Sequence, residues 1–117
     1  MIITGGEPLM RKDLEECGRA IYERGFPWGM VTNGLYMTRE RLNGLLDAGL
    51  HTATVSLDGF ATDHNWMRGN PQSFERAVEA IKLMVQVPDF VFDVVTCVNK
   101  HSYMRLEELK DFLISLG

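Results

Sequence analysis

Apolar and polar positions along this chain repeat one order four times: an apolar run, a short turn rich in Gly or Asn, then an amphipathic stretch. Ile2–Thr4 reads as the first strand, and Leu14, Cys17 and Ile21 fall at i, i+3 and i+7 of a helix that Gly25 stops. A second strand is predicted over about Gly29–Thr32, ending in the turn dipeptide Asn33-Gly34. The helix after it carries Leu42, Leu45 and Leu46 on one face, with Thr38 as N-cap and Gly49 as its stop. In His51–Leu57, Ala53, Val55 and Leu57 alternate with Thr52, Thr54 and Ser56, the period of a strand. A long loop, Phe60–Gln72, is expected next. Ser73 then caps a helix bearing Phe74, Ala77, Val78, Ile81 and Val85, which ends near Pro88. Phe90–Val98 is almost continuously apolar, as in a strand covered on both faces. Leu106, Leu109, Leu113 and Leu116 mark the last helix.

Strands and helices that alternate through short turns predict right-handed βαβ units and a parallel sheet. In such sheets ligands bind at the C-terminal ends of the strands. Four polar segments fall there: Gly5–Pro8, Thr32–Gly34, Ser56–Gly59 and Thr96–Lys100. The first is the most informative. A glycine pair at a strand end admits positive φ and lets a ligand approach the backbone, and Pro8 then turns the chain toward a helix. Taken singly, Asn33-Gly34 is a common turn, and Ser56 and Asp58 read as strand-end polar residues of an Asx turn before Gly59.

Composition narrows the classes further. The 117 residues are 45% hydrophobic and 24% charged with a formal net charge of −4, which gives no electrostatic case for nucleic acid or an anionic membrane. There is no apolar run of the ~18 residues a membrane span needs. Two cysteines, Cys17 and Cys97, form neither a disulfide framework nor a metal-spacing motif, so a reduced, cytoplasmic setting is the expectation. Cys17 falls on an apolar helix face and Cys97 in a core strand, the places of small buried hydrophobes. The chain is also far short of the ~250 residues of a full β/α barrel.

Gly-Gly-Glu-Pro-Leu after strand one, Thr-Asn-Gly after strand two and Ser-Leu-Asp-Gly after strand three are followed by His64 and Arg68-Gly69, then Ser73-Phe74-Glu75-Arg76-Ala77. Together this set resembles the radical SAM (S-adenosylmethionine) superfamily, closest to the branch of sulfatase-maturating, peptide-modifying and haem- and quinone-cofactor biosynthesis enzymes. The resemblance spans essentially the whole chain. It implies four consecutive β/α units, two to five, of a partial (β/α)6 TIM-like barrel. It also implies S-adenosylmethionine and a [4Fe–4S] cluster as cofactors of the parent enzyme. Gly5, Gly6 and Glu7 would then receive the methionyl ammonium, a group with donors only. Ser56 and Arg68 would meet the methionyl carboxylate, and Asn33 would lie near the ribose or methionyl portion. The parent would cleave S-adenosylmethionine reductively to start radical chemistry on a peptide or tetrapyrrole-type substrate.

The chain departs from the pattern in one respect. The family holds its cluster on Cys-x3-Cys-x2-Cys upstream of the Gly-Gly-Glu strand, and this sequence contains no such motif. The expectation is therefore a central fragment that carries much of the cofactor shelf, does not hold the cluster and is inactive alone. Its exposed sheet edges would favour self-association. Two rival readings remain: a small non-catalytic α/β ligand-binding or interaction module, and an intact small enzyme that uses the rim without a cluster.

Overall fold

A computed structural model describes all residues, Met1–Gly117. Four strands, β1 (Ile2–Ile3), β2 (Trp28–Thr32), β3 (Leu50–Ser56) and β4 (Val91–Val95), form one parallel sheet in the order β1-β2-β3-β4. Between them run α1 (Leu14–Glu23), α2 (Arg39–Asp47), α3 (Ala61–Arg68) and α4 (Ser73–Val85), and α5 (Leu106–Ser115) follows β4. Consecutive parallel neighbours joined by right-handed crossovers place the covering helices on one face. The result is an open arc of four β/α units in which β1 and β4 do not meet.

The pleat divides the strand residues between two faces. Trp28, Met30, Ala53, Val55 and Leu57 enter a buried core with Leu14 of α1, Leu42 and Leu45 of α2, and Ala77, Ala80, Ile81 and Met84 of α4. The other face carries small and polar side chains in cross-strand rows: Ile2, Gly29, Thr52 and Val91, then Val31, Thr54 and Asp93, then Ser56 and Val95. The Trp28 indole N–H donates to Ala48 O at 3.1 Å, and its ring occupies the space that a Cβ on Gly18 would need. Gly18 therefore fixes how closely α1 lies on β2.

Most predicted elements are present at nearly the predicted residues, and Thr38 caps α2 by accepting from Arg41 N. Four expectations need correction. The predicted loop 60–72 contains α3, which had no apolar stripe to reveal it because His64 is its one buried residue. Ser73 is the first residue of α4 and makes no cap bond; Asn65 Oδ1, reaching from α3, accepts from Phe74 N at 2.8 Å instead. β4 is not covered on both faces: it is an edge strand, and Val91 and Val95, 66% and 48% exposed, lie on the face that carries no helix. Cys97 lies beyond β4 and is exposed, and Cys17 is only half-buried beside Asp13 and Arg11.

Candidate functional site

The C-terminal strand ends enclose a cleft of 160 Å³. Gly5, Gly6, Glu7, Asn33, Ser56 and Arg68 all line it, together with Thr4, Val31 and Thr32. Three successive strand ends and the last turn of α3 thus contribute to one hollow. A wider hollow of 390 Å³ lies between α1 and α2, but its Glu15 and Arg41 pair with each other.

On the β1–β2 side, Gly5 adopts φ +125, which disfavours any side chain. A Cβ built on Gly5 or Gly6 would meet no atom within 4 Å, so the glycines leave unfilled space over the backbone. Glu7 turns its carboxylate toward the next strand. Its Oε1 accepts from Thr32 Oγ1 at 2.6 Å and Leu9 N at 3.1 Å, and its Oε2 accepts from Asn33 N at 2.8 Å. Thr32 Oγ1 in turn accepts from Gly34 N, and Asn33 Oδ1 from Leu35 N. Glu7 is therefore first a fastener between the two strand ends, a role its place in the motif did not disclose. Thr32, buried at the centre of this network, falls in the Thr32–Gly34 segment expected at the rim, but nothing in the sequence assigned it a role of its own. Gly34 sits at φ +77, and a Cβ there would come within 3.0 Å of Ala77 Cα, so the turn is seated on α4.

On the β3–β4 side the central group is Asp58, 1% exposed. Its Oδ1 accepts from Cys97 N at 2.9 Å, and its Oδ2 lies 2.7 Å from Arg68 Nη2 in an ionic contact without good hydrogen-bond alignment. This corrects the Asx-turn reading, since the carboxylate reaches the β4 end and α3 rather than its own backbone. Asp58 N donates to Nδ1 of His64, a fully buried residue. With Nδ1 accepting, a neutral imidazole carries its proton on Nε2, which has no partner. Burial holds the His64 pKa below its ordinary value; Asp58 acts to raise it and Arg68 to lower it further. His64 therefore orders the loop from beneath and does not face the cleft. Arg68, its side chain 34% exposed, reaches the cleft while anchored to Asp58.

The donor set fits the methionyl end of S-adenosylmethionine. Uncovered glycine backbone lies on one side, and a hydroxyl and a guanidinium on the other. It does not fit an iron–sulfur cluster, which needs several thiolates together. Cys17 and Cys97 belong to opposite ends of the sheet, and no group of three or more His, Cys, Asp or Glu is arranged to hold a metal ion.

The family model of the radical SAM superfamily matches residues 1–113. The chain belongs to that superfamily, and membership implies S-adenosylmethionine and a [4Fe–4S] cluster for the parent enzyme. It is 34% identical over its full length to an AdoMet-dependent heme synthase of Methanosarcina barkeri, covering 34% of that protein. An Fe-coproporphyrin III synthase of the same organism is 36% identical over 69% of the chain, which covers 20% of that relative. The chain thus spans about a third or less of the length of these relatives. Among solved structures, a domain of a pyruvate-formate lyase-activating enzyme from Bacteroides vulgatus superposes over 98% of the chain and 71% of that domain, with a TM-score of 0.82 at 15% identity. Streptococcus suis SuiB superposes over 98% of the chain and 26% of its own, with a TM-score of 0.80 at 23% identity. These last two likenesses concern the fold, an open piece of a TIM-like barrel. No helix is long and apolar enough to cross a membrane.

Proposed function

We propose that this chain is β/α units two to five of a radical SAM enzyme and that its rim cleft holds the methionyl end of S-adenosylmethionine. The observation that carries this reading is the convergence of Gly5, Gly6, Glu7, Asn33, Ser56 and Arg68 on one hollow from three strand ends and α3. The open backbone at Gly5 and Gly6 offers carbonyl acceptors to an ammonium, and the Glu7 carboxylate adds negative potential while holding the turn. Ser56 and Arg68 receive the carboxylate; Asn33 contacts the methionyl or ribose portion. When bound beside its cluster, the cofactor supplies a carbon-centred radical for hydrogen abstraction, while the protein supplies position. The cluster's thiolates belong to sequence outside these residues, so the chain alone is inactive. The names of the relatives favour a tetrapyrrole-type substrate over a peptide.

Amide chemical shifts recorded while the chain is titrated with S-adenosylmethionine test the cofactor reading. Movement of Gly5, Gly6, Asn33 and Ser56 is the expected outcome, and an unmoved rim at the ligand's solubility limit would sink it. Anaerobic reconstitution with iron and sulfide tests the claim that the chain does not hold the cluster, which stoichiometric cluster incorporation would contradict. The edge strand's exposed Val91 and Val95, with Ile2 at the other edge, support self-association. Sedimentation at rising concentration checks this; a strict monomer throughout counts against it.

A further inference from the structure

We infer that Asp58 is a positioning residue that holds the Arg68 guanidinium in the orientation that receives a ligand carboxylate; this rests on the reading of the cleft given above. Asp58 itself does not line the cleft, yet it is the group that fixes the one cation there.

Arg68 extends from the last turn of α3 on a flexible stem, and fixing such a side chain costs rotamer entropy. The contact of Nη2 with Asp58 Oδ2 removes much of that freedom before any ligand arrives. A guanidinium has five N–H donors, so the contact leaves the rest of the fork free for a second carboxylate. Asp58 is fixed in turn. Its Oδ1 accepts from Cys97 N beyond β4, and its own N–H donates to His64 Nδ1 inside α3. The carboxylate is thus held by β4 and α3 independently of any ligand. It is buried where a solvent-facing partner would have sufficed to neutralise Arg68.

Two physical effects of Asp58 on ligand binding have opposite signs. As a charge, it offsets Arg68 and weakens the attraction for an anion, so Asp58→Asn would tighten binding. As an anchor, it pre-orients the fork, so Asp58→Asn would loosen binding. Asparagine keeps the Oδ1 acceptor for Cys97 N and loses the ionic hold on Arg68, which separates the two.

The test measures Kd of the chain for S-adenosylmethionine and for its decarboxylated form by chemical-shift titration. The decarboxylated form keeps the sulfonium, adenosine and ammonium and lacks only the carboxylate. The wild type is expected to prefer the carboxylate-bearing form by about tenfold, the worth of one charge-assisted contact. Arg68→Ala removes that preference. Asp58→Asn removes most of it while leaving the Kd of the decarboxylated form unchanged, and adds nothing to the ratio in an Arg68→Ala background. If Asp58→Asn weakens both ligands equally, Asp58 merely maintains the fold and the inference fails. If it tightens S-adenosylmethionine, charge outweighs anchoring and the inference fails in the other direction. A preference that survives Arg68→Ala overturns the carboxylate role of Arg68 itself, whatever Asp58 does. Should Asp58→Asn not fold, Asp58→Ser, smaller and uncharged, takes its place with the same expectations.

Discussion

Glu7, after β1, accepts the N–H of Asn33 after β2; Asp58, after β3, accepts the N–H of Cys97 after β4. In each pair a threonine precedes the donor and bonds back to the earlier strand end: Thr32 Oγ1 donates to Glu7 Oε1, and Thr96 Oγ1 to Leu57 O. The two halves of the rim therefore share one fastening scheme in different electrical settings. Glu7 is half-buried and its partners are all neutral donors. Asp58 is buried and shares its charge with Arg68. A partly solvated carboxylate is stable among neutral donors, whereas a buried one needs a counter-charge. That need is what brings a cation to the β3 side of the cleft and leaves the β1 side an acceptor surface. The polarity of the cleft follows from the depth of its two carboxylates.

Three measurements can break or sharpen this comparison. The largest effect is expected from removing the carboxylates. Asp58→Ala strands the Cys97 N–H and frees Arg68, at a cost of about 3 kcal/mol, the low end for a buried pair because Arg68 is partly solvated. Glu7→Ala should cost about 1–2 kcal/mol, since the bonds it loses are only part-buried and strand no opposite charge. Urea unfolding of both variants checks the order, and a costlier Glu7→Ala would invert the argument from depth.

Next comes pH. His64 is buried with its pKa depressed, chiefly by desolvation, so the unfolded chain binds its proton more readily than the fold does. The stability this confers is complete above the ordinary histidine value of about 6.5 and is lost as pH falls below it toward the folded value. Unfolding between about pH 7.5 and 5.5 should show this decline in the wild type and not in His64→Gln. A pH-independent wild type would mean that His64 is solvated, and stability that rises as pH falls would mean that the fold holds it charged. The smallest contrast lies in the threonines: about 1.5 kcal/mol for Thr32→Val, which loses two bonds, and about 0.5 for Thr96→Val, which loses one partly exposed bond. Equal losses in thermal unfolding would show that the hydroxyls are not integral to the two fasteners.

Sequence reading recovered the four units and the single parallel sheet, and singled out six of the nine residues that line the cleft, because apolar periodicity and turn chemistry are local properties. What it missed depends on contacts between distant residues. α3 buries one side chain, so its eight residues carry no stripe, although Gly69 in the left-handed region and Pro71 marked where it had to end. The apolar run of β4 is the same whether or not a layer covers its second face, and so the edge was invisible. Asp58 looked like a turn residue because nothing in Ser-Leu-Asp-Gly reveals the Cys97 amide 39 residues away. The fastening role of Glu7 was hidden for the same reason: its bonds to Leu9, Thr32 and Asn33 depend on which residues face each other, and a motif does not record that.

The Trp28 ring in the place of a Cβ at position 18 also constrains the history of the chain. A lineage that replaced Gly18 would have to shrink Trp28 in the same passage, and a smaller residue there would leave Ala48 O without its donor. Single steps away from this pair lead through a damaged fold, so drift is expected to hold both positions fixed or to move them together.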